Sequence, residues 1–151
     1  MNSTQIEKAF LKNGRWEVNT LIPECRIKYQ GGYCRADFLM ITPALYATEI
    51  EIKVSRVDWE NDRTKTKWSE PLPSFLRHFV YLTPEGLEIP DWISDVAGVW
   101  RINAIGVVKV ERKPKIISEH KVTPAEFYRL KNEANFYRRF WSARLENIRH
   151  A

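Results

Sequence analysis

The chain is poor in the residues that staple or loosen a fold. Only two cysteines occur in 151 residues, and neither Cys25 nor Cys34 forms a metal-ligand spacing with His78, His120 or His150. Both thiols therefore read as small buried residues kept reduced, not as a disulfide or zinc framework. The six glycines make no phosphate-cradling loop, and no serine sits in a nucleophile elbow. No apolar run approaches the roughly 18 residues of a membrane span, and the N-terminus carries no signal-peptide core. The expectation is a cytoplasmic protein with no membrane partner. Internal repeats and low-complexity tracts are missing as well.

What is present points to a folded domain. Hydrophobic residues make up 44% and aromatics 13%, which excludes a disordered polar chain. The length suits one domain with a real core. A formal net charge of +5 fits a partner made of phosphates, although many unrelated proteins are basic.

The informative segment is Glu49-Ile50-Glu51-Ile52-Lys53. In a strand, side chains alternate between faces, so Glu49, Glu51 and Lys53 share one side and Thr48, Ile50 and Ile52 the other. A row of charges beside a row of isoleucines is costly in a core unless it meets water, a metal or a ligand. The same residues also suit a solvated face on which Lys53 pairs with Glu49 or Glu51.

Around this segment the pattern predicts alternating elements. A first helix is expected from about Gln5 to Asn13, capped by Thr4 and Glu7 and stopped by Gly14, with Ile6, Ala9 and Phe10 buried. Val18 to Ile22 and Glu24 to Gln30 read as strand. Gly31-Gly32 reads as a hairpin turn and Tyr33 to Ile41 as the returning strand. That turn sets Asp37 opposite Arg26, with Glu24 its diagonal neighbour on the same face and the two thiols too far apart to join. The next turn decides more. A two-residue loop at Pro43-Ala44 puts Asp37 and Glu51 on opposite faces; a three-residue loop, Pro43-Ala44-Leu45, pairs them on one face.

Ser55 is expected to cap a helix through Trp59 and Arg63, with Asp58, Glu60 and Asp62 complementing its dipole. Strands come next at His78–Leu82, Val96–Ile102 and Ile105–Val110. A last helix begins at Thr123-Pro124 with Glu126 closing its cap, and its stripe runs through Phe127, Leu130, Ala134, Tyr137, Trp141, Leu145 and Ile148. The expected fold class is α/β: a mixed central β-sheet flanked by helices, with a long C-terminal helix. Residues 1–115 form the main domain and 116–151 an amphipathic helix that packs on it or mediates a homodimer.

The order helix, strand, hairpin carrying Asp37, Glu51-Ile52-Lys53, helix resembles the PD-(D/E)XK nuclease superfamily over the first half of the chain. Asp37 matches the first acid, with Ala36 where some members carry proline, and Glu51 and Lys53 match the second acid and the lysine. Arg35-Ala36-Asp37, Glu51 to Trp59, Asp62-Arg63, Lys67-Trp68, and His78 to Pro84 are similar to the MmcB-type bacterial DNA-repair proteins. Thr64-Lys65-Thr66 is an insertion relative to that pattern, and Pro71 to Leu76 departs from it. The resemblance implies a restriction-endonuclease-like core and a Mg²⁺- or Mn²⁺-dependent nuclease acting on DNA, in repair or phage DNA processing. Asp37, Glu51 and the Ile52 carbonyl would bind the metal, with Glu7 or Glu24 as supporting acid and Glu49 a weaker candidate. Lys53 would stabilise charge on the phosphate. Arg56, Arg63, Lys65 and Lys67 would track the DNA backbone. The alternatives are a non-cleaving nucleic-acid-binding accessory protein that keeps the fold, and an oligomerising scaffold.

Overall fold

Ala47–Ile52 forms a strand buried at every position, and the remaining elements are arranged around it. The computed structural model describes residues 1–13, 18–29, 32–63 and 75–132. In chain order these form α1 (Ser3–Asn13), β1 (Thr20–Tyr29), β2 (Gly32–Ile41), β3 (Ala47–Ile52), α2 (Arg56–Arg63), β4 (Leu76–Pro84), β5 (Gly98–Ile102) and β6 (Val108–Arg112). A third helix, α3, is described over residues 124–132. The six strands make one mixed sheet in sequential order. The β1–β2 and β2–β3 pairs are antiparallel, β3–β4 and β4–β5 are parallel, and β5–β6 is antiparallel. The parallel β3–β4 pair needs a crossover, and α2 lies within it.

Three apolar clusters fix the layers. Ile6 and Phe10 of α1 pack with Phe38, Ile50, Ile52, Leu82 and Ile102. Trp59 of α2 packs with Phe79, Tyr81 and Val99. Leu130 of α3 and the preceding Val122 join Ile22, Leu39, Ile41 and Ala47. Each fully buried side chain of this size contributes about 1.5–3 kcal/mol through removal from water. The helices thus sit on both faces of the sheet because each lends one apolar stripe to it.

Local chemistry explains most boundaries. α1 starts two residues earlier than the Thr4–Glu7 box implies. The reciprocal cap is made by Asn2 and Gln5: the Gln5 N–H donates to Asn2 Oδ1 at 2.9 Å and the Asn2 N–H to Gln5 Oε1 at 2.8 Å. Ser55 caps α2 as expected, its Oγ accepting the Asp58 N–H at 3.2 Å. Thr123 and Glu126 form the expected box at the start of α3, at 3.2 and 3.3 Å. The tail of that helix, including Ala134, Tyr137, Trp141, Leu145 and Ile148, lies outside the described residues, as does Gly14.

Two strand registers decide which charged side chains can meet. β1 and β2 pair with Tyr29 opposite Gly32 and Cys25 opposite Ala36. The connection is therefore residues 30–31 and not Gly31-Gly32, and the partner expected for Asp37, Arg26, pairs instead with Arg35. The shift is two residues, so the parity of the pairing survives. Between β2 and β3 the loop is the three-residue one: the Thr42 N–H donates to the Tyr46 carbonyl at 3.0 Å, and Leu45 takes a left-handed φ of 67°. Phe38 then pairs with Ile50 and Leu39 with Glu49. Continuing that register by one residue sets Asp37 level with Glu51.

Candidate active site

The β2–β3 ladder stops one residue short of that level. Pairing runs from Ile41↔Ala47 to Phe38↔Ile50, and the next ladder bond would join the Ile52 N–H to the Ala36 carbonyl. The carboxylate of Asp37 accepts it instead, with Oδ2 at 2.7 Å from the Ile52 nitrogen. A side chain thus replaces a main-chain acceptor and opens a gap between the two strands. The N–H and C=O of a strand residue leave by the same edge, so the Ile52 carbonyl faces this gap.

β1 is distorted at the same level. No pair joins Glu24 to Asp37, although Pro23↔Phe38 and Cys25↔Ala36 flank them. Glu24 has φ 48°, a left-handed value rare for a side-chain-bearing residue inside a strand. Ile22 and Cys25, three apart on β1, belong to one apolar cluster, as do Ala36 and Leu39 on β2. Strict alternation forbids that, so both strands change face across the Glu24–Asp37 level. Pro23, which lacks an N–H, is tolerated because β1 is an edge strand.

The charged row of β3 is buried. Glu49 is 0% exposed, Glu51 6% and Lys53 4%. The solvated-face alternative is therefore overturned. Lys53 Nζ lies 3.3 Å from Glu51 Oε1 and 3.1 Å from Asp62 Oδ1. Asp62, on α2 and 0% exposed, accepts the Tyr81 hydroxyl on its other oxygen at 2.5 Å. Tyr81 itself stands beside Glu51 in the β3–β4 register.

Asp37 carries the electrostatic signature of the site. Its carboxyl is raised from 3.8 to about 7, first by burial and then by the Glu51 charge, with Glu7 adding to the rise. The Ile52 N–H and the Lys53 ammonium pull the other way. Glu7 of α1 is thereby brought to the same neighbourhood as Asp37, Glu51 and Lys53. Glu24 stands at the level of Asp37 on β1. Arg56 and Arg63 are exposed on α2, and Arg63 lies 5.8 Å from the centre of the Trp92 ring. Lys65 and Lys67 lie outside the described residues.

Two members of the cluster escaped sequence reasoning. Asp62 reads as one of three acids complementing a helix dipole, yet only Asp58 serves that end, its Oδ2 accepting the Val54 N–H at 3.0 Å. The available signal is the three-residue spacing from Trp59, which sets an acid on the buried side of α2. Tyr81 reads as strand core, and its hydroxyl has a role only once Asp62 faces it.

The donor set suits a hard divalent cation in kind. Oxygen ligands are present, and Mg²⁺ commonly takes one or two carboxylates and keeps several waters. Buried carboxylates that hinder each other's ionisation are also the situation a cation relieves. Among the described residues, however, no three His, Cys, Asp or Glu side chains form a ready-made metal group. Two open depressions, one around Glu85, Arg101 and Glu111 and the other around Gln5, Lys8 and Ile105, are lined by none of these residues.

No protein-family model and no curated protein matches the chain. Among solved structures, a protein of unknown function from Silicibacter pomeroyi is similar, with a TM-score of 0.64 and 19% sequence identity. The alignment covers 99% of this chain and 92% of that one. At this identity the likeness speaks for a shared fold alone. Among the described residues, no helix is long and apolar enough to cross a membrane.

Proposed function

We propose that the protein is a metal-dependent nuclease that hydrolyses phosphodiester bonds in DNA, with a restriction-endonuclease-like core and a role in DNA repair or phage DNA processing. The observation that carries this reading is the opened β2–β3 gap, where the Asp37 carboxylate replaces a ladder acceptor at the level of Glu51. The resemblance of Asp37, Glu51 and Lys53 to the PD-(D/E)XK pattern supports it, as does their order between two helices.

In this reading Asp37, Glu51 and the Ile52 carbonyl would hold a Mg²⁺ or Mn²⁺ ion, with Glu7, whose charge acts on Asp37, or Glu24 as supporting acid. The ion, when bound, supplies Lewis-acid polarisation of the phosphate and a more acidic water. Lys53 presents its ammonium from the position just past β3 and offsets negative charge growing on the phosphate oxygens. Water adds to phosphorus, the bond to the leaving sugar oxygen breaks, and that oxygen takes up a proton. Asp37 must release its own proton to serve as a ligand, so a carboxyl raised to about 7 makes cation uptake favour neutral to basic solution. Arg56 and Arg63, exposed on α2, contact backbone phosphates beside the cut and position the strand without reading its bases.

Incubation of the protein with single-stranded, duplex and flapped DNA plus Mg²⁺ or Mn²⁺ tests this. Cleavage that disappears with Lys53→Ala supports the reading; cleavage that survives it assigns the activity to a contaminant. A second reading is a nucleic-acid-binding accessory protein that keeps the fold without cutting. The exposed Arg56 and Arg63 on α2 suit phosphate contacts in this reading as well. Salt-sensitive DNA binding that is unchanged by Lys53→Ala, with no cleavage, identifies it.

A further inference from the structure

The buried ion group holds more carboxylate than a charge-stabilising lysine requires. Lys53 Nζ bridges Glu51 at 3.3 Å and Asp62 at 3.1 Å, yet the proposed site asks Glu51 to serve a cation as well. An ammonium and a divalent cation competing for one carboxylate weaken each other. Asp62 resolves the conflict. It reaches Lys53 from α2, and the Tyr81 hydroxyl fixes its second oxygen at 2.5 Å. Tyr81 is in turn gripped by Trp59, whose ring meets it edge-on at 4.6 Å, and by Phe79 at 5.0 Å. These three aromatic residues are all 0% exposed, so the Asp62 carboxylate has little freedom to leave its place.

We propose that Asp62, braced by Tyr81, is the positioning residue of Lys53, and that by sharing the ammonium with Glu51 it weakens the competition a metal ion meets at Glu51. This rests on the nuclease reading and adds α2 and β4 to its machinery. Stability alone gives little reason for the arrangement, because buried ion groups are often matched or bettered by apolar residues of similar volume. A device that apportions carboxylates between a lysine and a cation gives one.

Mn²⁺ binding measured by titration calorimetry tests the proposal without cleavage. Asp62→Asn keeps the shape of the side chain but weakens its hold on the ammonium, which then turns fully to Glu51. The expected result is an affinity for Mn²⁺ lower by about 10–100-fold, the usual effect of disturbing a residue behind a metal ligand. Lys53→Met removes the competitor, so Asp62→Asn in that background is expected to change affinity by less than about threefold. An equal loss in both backgrounds overturns the proposal, since Asp62 then acts directly through its charge or through packing. A parent protein that binds no Mn²⁺ overturns the metal site itself and this inference with it. A thermal scan of each variant separates loss of binding from loss of folding. If Asp62→Asn melts early, Tyr81→Phe repeats the test, with a smaller loss of the same background dependence.

Discussion

The two faces of β3 solve opposite problems. Ile50 and Ile52 enter an apolar cluster with Phe10, Phe38 and Leu82, whereas Glu49, Glu51 and Lys53 are buried on the other face. Both faces exclude water, yet only the first gains free energy simply by doing so. The second must offset the desolvation of its charges, in part through the pairing of Lys53 with Glu51 and Asp62, while Tyr81 and the Ile52 main chain donate to Asp62 and Asp37. A chain selected for stability alone has little use for such a face. The contrast separates the part of the molecule that holds the fold from the part on which the proposed chemistry rests.

The largest departure from that contrast is expected at Lys53. Its ammonium lies within ion-pair distance of both Glu51 and Asp62, so Lys53→Ala is expected to lower DNA cleavage by about 10²–10³-fold. It also leaves carboxylates buried beside each other, at a cost of about 3–5 kcal/mol in urea unfolding. A cleavage rate within about threefold of the parent would mark the activity as a contaminant's and leave the enzyme reading without support.

The faces should then differ in how they tolerate apolar chemistry. Ile50→Ala opens a cavity in the apolar cluster and is expected to cost about 2–5 kcal/mol. The combined change Glu51→Leu, Lys53→Met, Asp62→Leu and Tyr81→Phe removes the ion group together with the hydroxyl that serves it. Its expected effect on unfolding lies between none and a gain of about 4 kcal/mol, with loss of all cleavage. A large loss of stability in the combined variant would show the charged face to be a structural necessity.

A smaller effect concerns pH. The folded protein holds the Asp37 proton more firmly than the unfolded chain does, because the carboxyl is raised from 3.8 to about 7. Between those values the folded state binds more protons, so stability falls as pH rises. The contribution is fully present below about pH 4 and is lost as pH passes about 7. Asp37→Asn should flatten this part of the stability profile, measured as melting temperature from about pH 4 to about pH 8. Saturating Mn²⁺ should counteract the loss at the basic end, since the cation favours the ionised carboxylate.

How much of this was legible beforehand differs between the same two faces. The apolar stripe of α1 and the caps at Ser55 and Thr123 obey local rules, whereas loops of two and of three residues after Ile41 both suited the sequence. Turn residues, hydroxyl caps and helical spacing act over a few positions. The charged row was legible as an anomaly of alternation, and its setting on one face with Asp37 depended on loop parity. The rest depended on distance along the chain. The Asn2–Gln5 cap competed with an equally good box two residues later. The hairpin register lies two residues from the one Gly31-Gly32 would set, a slip that alternation alone does not detect. Asp62 and Tyr81 are 19 residues apart, and nothing in either neighbourhood announces that an acid and a hydroxyl meet beside Lys53. The opening of the ladder at Asp37 was likewise invisible, because it arises from a side chain outcompeting a distant main-chain carbonyl.

The decisive experiment is anomalous diffraction from crystals grown or soaked with Mn²⁺ at about pH 8, where Asp37 is largely ionised. A cation site at the opened ladder requires a single strong peak between β2 and β3, within coordination distance of Asp37, Glu51 and the Ile52 carbonyl. Saturating Mn²⁺ with no peak there, or with Lys53 still closing the approach to Glu51, would contradict it.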